Sequence, residues 1–388
     1  MHNHSFRSTI KIKLLICTIA FVFINVCSYA QSKTNITWWN PAKNDFNVIA
    51  GQGWPNAVES SYDRLPKKAE PIVRKTVWNL SRHSAGLKIN FRTNAKNIMV
   101  RYKTNASNYA MPHMPATGVS GVDLYAKDSN DDWLWYRGNY SFADTIRYNF
   151  KNINLKEEYH SSGREYHLYL PLYNAIQWLE IGVPEDALFE PMPICKEQPI
   201  VVYGTSIAQG ACASRPGMAW TSILERKLDR PLINLGFSGN GRLEEEVINL
   251  ITEIEAKVYV LDCLPNLGTN KNRTMEEVQQ LIIAAVEGIR EKHPLTPILL
   301  VEHAGYADGQ TNIDRFNNYT SLNKTLRISF AQLKTGGLKN IYLLPKSEIA
   351  LHMDSFVDGT HPTDLGMMQY ALAYEKRIRE ILASAGIE

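Results

Sequence analysis

The sequence predicts a chain built in two unlike parts: a jelly-roll-like β-sandwich over residues 31–190, then an α/β domain with a parallel sheet over residues 199–388. Three observations lead there. Up to Cys195 the chain is rich in aromatics and in short alternating runs, separated by Asn, Asp, Gly, Ser and Pro clusters that turn the backbone. After Pro199 the rhythm becomes short, continuous apolar runs separated by long helical patterns, as in a parallel sheet covered on both faces. Between the two lies a stiff, polar join over residues 191–198, carrying Pro191 and Pro193 ahead of Pro199.

Taken in order, residues 1–30 read as an export signal. A basic stretch runs to Lys13, an apolar stretch from Leu14 to Val26, and Ser28-Tyr29-Ala30 precedes Gln31. The apolar stretch is short for a bilayer span and Asn25 interrupts it, so cleavage after Ala30 is expected instead of a retained anchor. Val26 before Cys27 argues against a lipoprotein. The mature protein is expected in a periplasmic or extracellular space, with no membrane span.

In the first part, Leu87, Ile89 and Phe91 alternate with Lys88, Asn90 and Arg92, and a further alternating run passes through Met99, Arg101 and Lys103. More strands are expected at Gly121 to Tyr125, Trp133 to Tyr136, Glu165 to Leu170 and Ala175 to Val183. In the second part the strands are Ile200 to Tyr203, Leu232 to Leu235, Val258 to Leu261, Ile298 to Val301 and Ile341 to Leu344. Leu243, Val247, Leu250, Ile251 and Ile254 recur at helical spacing behind Glu244 to Glu246. Thr274 and Glu277 make a capping box before the stripe Met275, Val278, Ile282, Ala285 and Ile289. A last helix carries Met367, Ala371, Tyr374, Ile378 and Leu382.

Charge and cysteine content exclude several functions. Of the 42 Lys and Arg, only Arg7, Lys11 and Lys13 lie in the leader, and their loss leaves a balance with the 39 Asp and Glu. A neutral chain without a basic run has no footprint for nucleic acid. Removing Cys17 and Cys27 leaves Cys195, Cys212 and Cys263, an odd set expected as buried apolar side chains without metal-site spacing. Nothing in the chain specifies an oligomeric state.

In open α/β sheets the chemistry lies beyond the carboxyl ends of the strands. Strand one runs into Gly204-Thr205-Ser206-Ile207-Ala208-Gln209-Gly210, which displays Ser206 at a helix entrance; a plain helix cap is the ordinary reading. After strand two comes Gly236-Phe237-Ser238-Gly239-Asn240-Gly241, a turn in which Gly239 can aim an unobstructed amide. After strand three, Asn266 in Asp262-Cys263-Leu264-Pro265-Asn266 either donates to a developing oxyanion or simply forms a turn. Near the end, Asp358 and His361 sit three residues apart in Asp358-Gly359-Thr360-His361-Pro362-Thr363, the relation a general base requires.

In this order the four blocks resemble the SGNH or GDSL hydrolase superfamily, over residues 199–388. The resemblance implies Ser206 as nucleophile, Asp358 and His361 as its triad partners, the Ser206 amide with Gly239 and Asn266 as oxyanion donors, and a flavodoxin-like three-layer fold. Thr205 stands where many members have Asp, and Leu264, Pro265 and Leu267 flank Asn266 where the usual block has Gly and Asp. The first part is similar to the domain preceding such hydrolases in an exported bacterial subgroup, through Gly121-Val122-Asp123-Leu124-Tyr125. That resemblance implies a serine esterase removing small acyl groups, acetyl above all, from a polysaccharide or oligosaccharide, with no metal or cofactor. The alternatives are a carbohydrate-binding protein with a vestigial hydrolase domain, and a lipid or thioester hydrolase. An α/β-hydrolase is disfavoured because Ser206 follows the first strand of its domain.

Three further polar residues have structural readings beside functional ones: His303 as a hydrogen-bonded core histidine, His352 paired with Asp354, and Arg215 in an ion pair. Seven of the eight Trp precede residue 191. Trp133 and Trp135 are expected in the core, whereas Trp38, Trp39 and Trp54 are candidates for a sugar platform.

Overall fold

The computed structural model describes residues 35–156, 158–268 and 273–384. The export signal, with Cys17 and Cys27, lies outside the described residues. The strands in chain order are β1 (Ile36–Trp39), β2 (Ile49–Ala50), β3 (Lys88–Thr93), β4 (Ile98–Thr104), β5 (Asp123–Lys127), β6 (Trp133–Tyr136), β7 (Asn139–Ser141), β8 (Ile146–Phe150), β9 (Arg164–Tyr169), β10 (Ile176–Pro184), β11 (Phe189–Pro191), β12 (Ile200–Gly204), β13 (Leu232–Gly236), β14 (Val258–Asp262), β15 (Ile298–Val301) and β16 (Ile341–Leu344).

The first eleven strands form two antiparallel sheets, ordered β1-β10-β4-β8-β7 and β11-β3-β9-β5-β6, with β2 beside β3. Period-two alternation drives them together: Ile98, Val100 and Tyr102 of β4 point into one cluster with Ile89 and Phe91 of β3 and Tyr166 and Leu168 of β9. Met99, Arg101 and Lys103 share the opposite, half-buried face of β4. β3 departs from simple alternation, because Lys88 and Asn90 are also buried. The helix Trp220–Leu228 covers that face, where Glu225 meets Lys88 Nζ at 2.9 Å.

β12 to β16 form a parallel sheet in the order β13-β12-β14-β15-β16, with β12 in register against both neighbours. Each strand is apolar on both faces because each face meets helices. Val201, Tyr203, Ile233, Leu235 and Leu261 pack against the helices Glu245–Ile251, Met275–Lys292 and Ile313–Thr335. Ile200, Val202, Leu232 and Val260 pack against Trp220–Leu228 and Asp364–Ser384. The expected capping box is present, Thr274 Oγ1 accepting from Glu277 N and Glu277 accepting from Thr274 N.

The stretch between β2 and β3 also enters this core. Trp54, Leu65, Val77 and Trp78 join the layer carrying Val201 and Ile233. Arg64, 1% exposed, lies between the last turn of the helix Lys75–Ser81 and the end of β13. Its guanidinium donates to Asn234 O at 3.1 Å, Gly236 O at 2.7 Å, Leu80 O at 2.7 Å and His83 O at 2.8 Å. Burial pulls it down to about 9, so it stays cationic at neutral pH.

Trp54 and Trp135 depart from the expected roles, while Trp38, Trp39 and Trp133 are all half-buried. Trp54 is buried and donates to Glu253 at 2.9 Å, Trp39 packs on Phe189, and Trp38 lies under the Arg101 guanidinium at 3.9 Å. Trp133 is half-buried, whereas Trp135 is 48% exposed because the outer face of β6 is uncovered. Of the cysteines, Cys212 and Cys263 are buried, but Cys195 lies exposed in the polar join; all three are free.

Two predictions follow from buried charge. Arg64→Ala strands four carbonyls, and should cost about 3–5 kcal/mol by urea unfolding; a loss below ~1 kcal/mol would mean the carbonyls find other donors. Asp262, at the end of β14, is 4% exposed and faces the Tyr374 hydroxyl. Burial raises its pKa to about 7, above the ~3.9 of an unfolded Asp. Its relative contribution is therefore fully present below pH ~4 and lost as pH rises through about 7. Asp262→Asn should remove that loss, so unfolding midpoints of wild type and variant should diverge across this window.

Candidate active site

All four motif blocks end at the same edge of the parallel sheet. The backbone leaves β12 through Thr205, whose Oγ1 accepts from Ile207 N at 3.3 Å. Thr205 is thus the helix cap, which leaves the neighbouring Ser206 hydroxyl uncommitted to the helix. Ser206 Oγ lies 2.8 Å from His361 Nε2. His361 Nδ1 lies 2.7 Å from Asp358 Oδ2.

The Asp358 to His361 loop is set by its own hydrogen bonds. Asp358 Oδ1 accepts from Thr360 N at 3.0 Å and His361 N at 2.8 Å, a turn that Gly359 permits at φ +80°. Burial alone would raise the Asp358 pKa, but the His361 amide and imidazole and the Thr360 amide outweigh it and hold the carboxyl at about 2. A carboxylate at Nδ1 places the imidazole proton there, leaving Nε2 to accept from Ser206.

Opposite lie the donors. Gly239, at φ +67°, has nothing within 4 Å of where a Cβ would stand, so open space adjoins its amide. Ser206 N and Gly239 N donate to no acceptor among the described residues. Asn266, 8% exposed, is best satisfied with its carboxamide oxygen accepting from Asn240 N at 3.1 Å and Gly241 N at 3.3 Å. That orientation turns its NH2 away from the Asn240 and Gly241 amides. The structure thus brings Ser206, His361 and Asp358 into one chain of hydrogen bonds, and ties Asn266 to the turn carrying Gly239.

Gln209 had no role in the sequence reading, yet it couples these parts. Wholly buried, it accepts from Ser238 N at 3.0 Å and donates to Leu172 O at 3.1 Å. The only sequence signal was an uncharged polar residue inside the quoted turn. Cys212 lies close by, its thiol pushed up to about 12 by burial and then by the Asp358 charge. His303 is a core histidine, accepting from Gly305 N at 2.9 Å, and His352 is an exposed cap for Asp354 N at 3.3 Å.

The antiparallel sheets reach the site directly. Asp123, 3% exposed, accepts from Arg215 Nη1 at 2.5 Å, Gly217 N at 3.1 Å and Trp135 Nε1 at 2.6 Å. Tyr125 accepts a second bond from Arg215. The Gly121-to-Tyr125 motif is therefore a clamp on the loop that follows Ser206. In that loop Ser214 N and Oγ donate to Asp364 at 2.9 and 2.5 Å, three residues after His361.

A three-layer α/β domain whose strand ends bring Ser206, His361 and Asp358 into one chain of hydrogen bonds points to the hydrolases. The chain is a member of the GDSL-like lipase/acylhydrolase family, the SGNH hydrolases, which matches residues 197–379; residues 36–189 match the N-terminus of SGNH-type esterases. A GDSL-like lipase from Bacteroides ovatus is 31% identical, with a TM-score of 0.81 over 90% of this chain and 98% of that one. The salicylyl-acyltransferase SsfX3 of a tetracycline biosynthetic pathway shares the fold at 17% identity and TM-score 0.64, covering 90% and 96%. So does a family two carbohydrate esterase from Cellvibrio japonicus, at 11% identity and TM-score 0.55, covering 90% and 98%. No curated protein sequence matches the chain. No helix among the described residues is long and apolar enough to cross a membrane.

If the Asn266 NH2 meets developing negative charge, Asn266→Ala should lower kcat on the order of 10²- to 10³-fold while leaving the unfolding midpoint nearly unchanged. An unaltered kcat would assign the third donor to another group.

Proposed function

We propose that the protein is an exported serine esterase that removes small acyl groups, acetyl foremost, from a carbohydrate. The 2.8 and 2.7 Å links from Ser206 through His361 to Asp358 carry this reading. Ser206 is the nucleophile. His361 takes its proton at Nε2 as Oγ attacks the ester carbonyl, and Asp358 holds the tautomer and stabilises the imidazolium. The Ser206 and Gly239 amides and the Asn266 NH2 receive the oxyanion. The alcohol leaves with the proton from His361, and water, activated by the same imidazole, releases the acid.

Two features support a carbohydrate ester. The Cellvibrio japonicus carbohydrate esterase shares the fold. A groove of about 500 Å³ lined by Trp135, Tyr136, Tyr140, Arg137 and Asn139 also opens beside Arg215 and Ser214. Exposed aromatic faces next to hydrogen-bonding side chains suit the alternating apolar and hydroxyl surfaces of a sugar. In this reading residues 31–190 form a jelly-roll-like β-sandwich accessory domain, joined by residues 191–198 to the catalytic domain at 199–388. Export rests on the leader sequence.

The test is hydrolysis of 4-nitrophenyl acetate, butyrate and octanoate by the mature protein, with Ser206→Ala as control. Preference for acetate, lost in the variant, is expected, followed by acetate release from acetylated xylan, mannan or pectin. Preference for octanoate would replace the carbohydrate reading with a lipid one. Activity retained in Ser206→Ala would remove Ser206 as nucleophile.

A further inference from the structure

Beside the relay stand two metal-binding side chains that the proposed mechanism does not use. His113, from the segment between β4 and β5, stacks its ring on His361 with centroids 5.8 Å apart and planes at 27°. Cys212, 5% exposed, is held at φ +69°, a left-handed conformation uncommon for a residue with a Cβ. His113, Cys212, Asp358 and His361 each offer one ligand atom, and these atoms all lie within 4.8 Å of one another.

Sulfur, two imidazoles and a carboxylate form a donor set suited to Zn²⁺, which binds such atoms at about 2.0–2.3 Å in tetrahedral sites. Ligand atoms around one ion then lie roughly 3–4 Å apart. The 4.8 Å bound on the separations exceeds that spacing by about 1 Å. Mg²⁺ and Ca²⁺ prefer all-oxygen surroundings and suit this set poorly.

We propose that His113, Cys212, Asp358 and His361 form a zinc-binding site whose occupation switches the hydrolase off. On binding, Cys212 releases its thiol proton to solvent and coordinates as thiolate, with no change of oxidation state. Either His361 nitrogen that the ion takes is one the relay needs, since Nδ1 meets Asp358 and Nε2 meets Ser206. Zinc and catalysis therefore exclude each other. The site also joins both parts of the chain, with His113 coming from the first.

The experiment is calorimetric titration of the mature protein with zinc chloride, with Co²⁺ as a spectroscopic substitute and Mg²⁺ as control. One zinc per chain is expected, together with a near-ultraviolet thiolate-to-cobalt band and loss of ester hydrolysis that EDTA reverses. Cys212→Ser should keep its basal activity, lose the band and bind zinc at least 10- to 100-fold more weakly, the range that even an outer-shell partner commands. His113→Ala, on a separate segment, should also bind more weakly. Absence of zinc binding to the wild type, or equal affinity in both variants, overturns the proposal. Heat and absorption need no ester, so they read the metal site even if the esterase reading fails.

Discussion

The Asp123 carboxylate is the contact on which the site depends. Buried between the antiparallel sheets and the α/β layers, it takes donors from Arg215, Gly217 and Trp135 and so fixes the loop behind Ser206. The same loop grips Asp364 through Ser214, so the helix after His361 is fixed to it as well. Serine and histidine come from segments 155 residues apart, and a relay tolerates errors of only about 0.5 Å. A buried ion pair is a weak source of stability but a strong constraint on geometry once its lone pairs are filled. The Trp135 indole and the Gly217 amide fill them.

The parallel sheet was legible almost to the residue, because strands buried on both faces leave continuous apolar runs that nothing else in the chain imitates. β7 left no such trace, since all three of its residues are exposed. β1 and β11 are short edge strands, and their pairing is decided by neighbours remote in sequence. The helix Ile313–Thr335 escaped because only a minority of its residues are buried, so its polar surface outweighs the stripe. Trp135 was misplaced for a related reason: alternation identifies the two faces of a strand, but not which face another layer will cover.

At the site, the meeting of Ser206, His361 and Asp358 was legible because the spacing and order of their motifs along the chain anticipate it. Gly239 and Asn266 were legible only in that company, each being an ordinary turn residue alone. Gln209 and His113 were not, since their roles follow from contacts with Ser238 and His361 across long stretches of chain. Arg215 stood between these cases: an ion pair was foreseeable, but its partner Asp123 required the fold.

The Arg64 guanidinium bears on time as well as on form. Its carbonyl partners on β13 lie 170 and 172 residues further along the chain. At ~5–20 residues per second, a ribosome needs roughly ten to thirty seconds to supply them after Arg64 itself has been made. Until then Trp54, Leu65 and Trp78 have no sheet to cover, and closing so long a loop is intrinsically slow. The stretch from Trp54 to Trp78 therefore comes early in the chain but is among the last parts to settle.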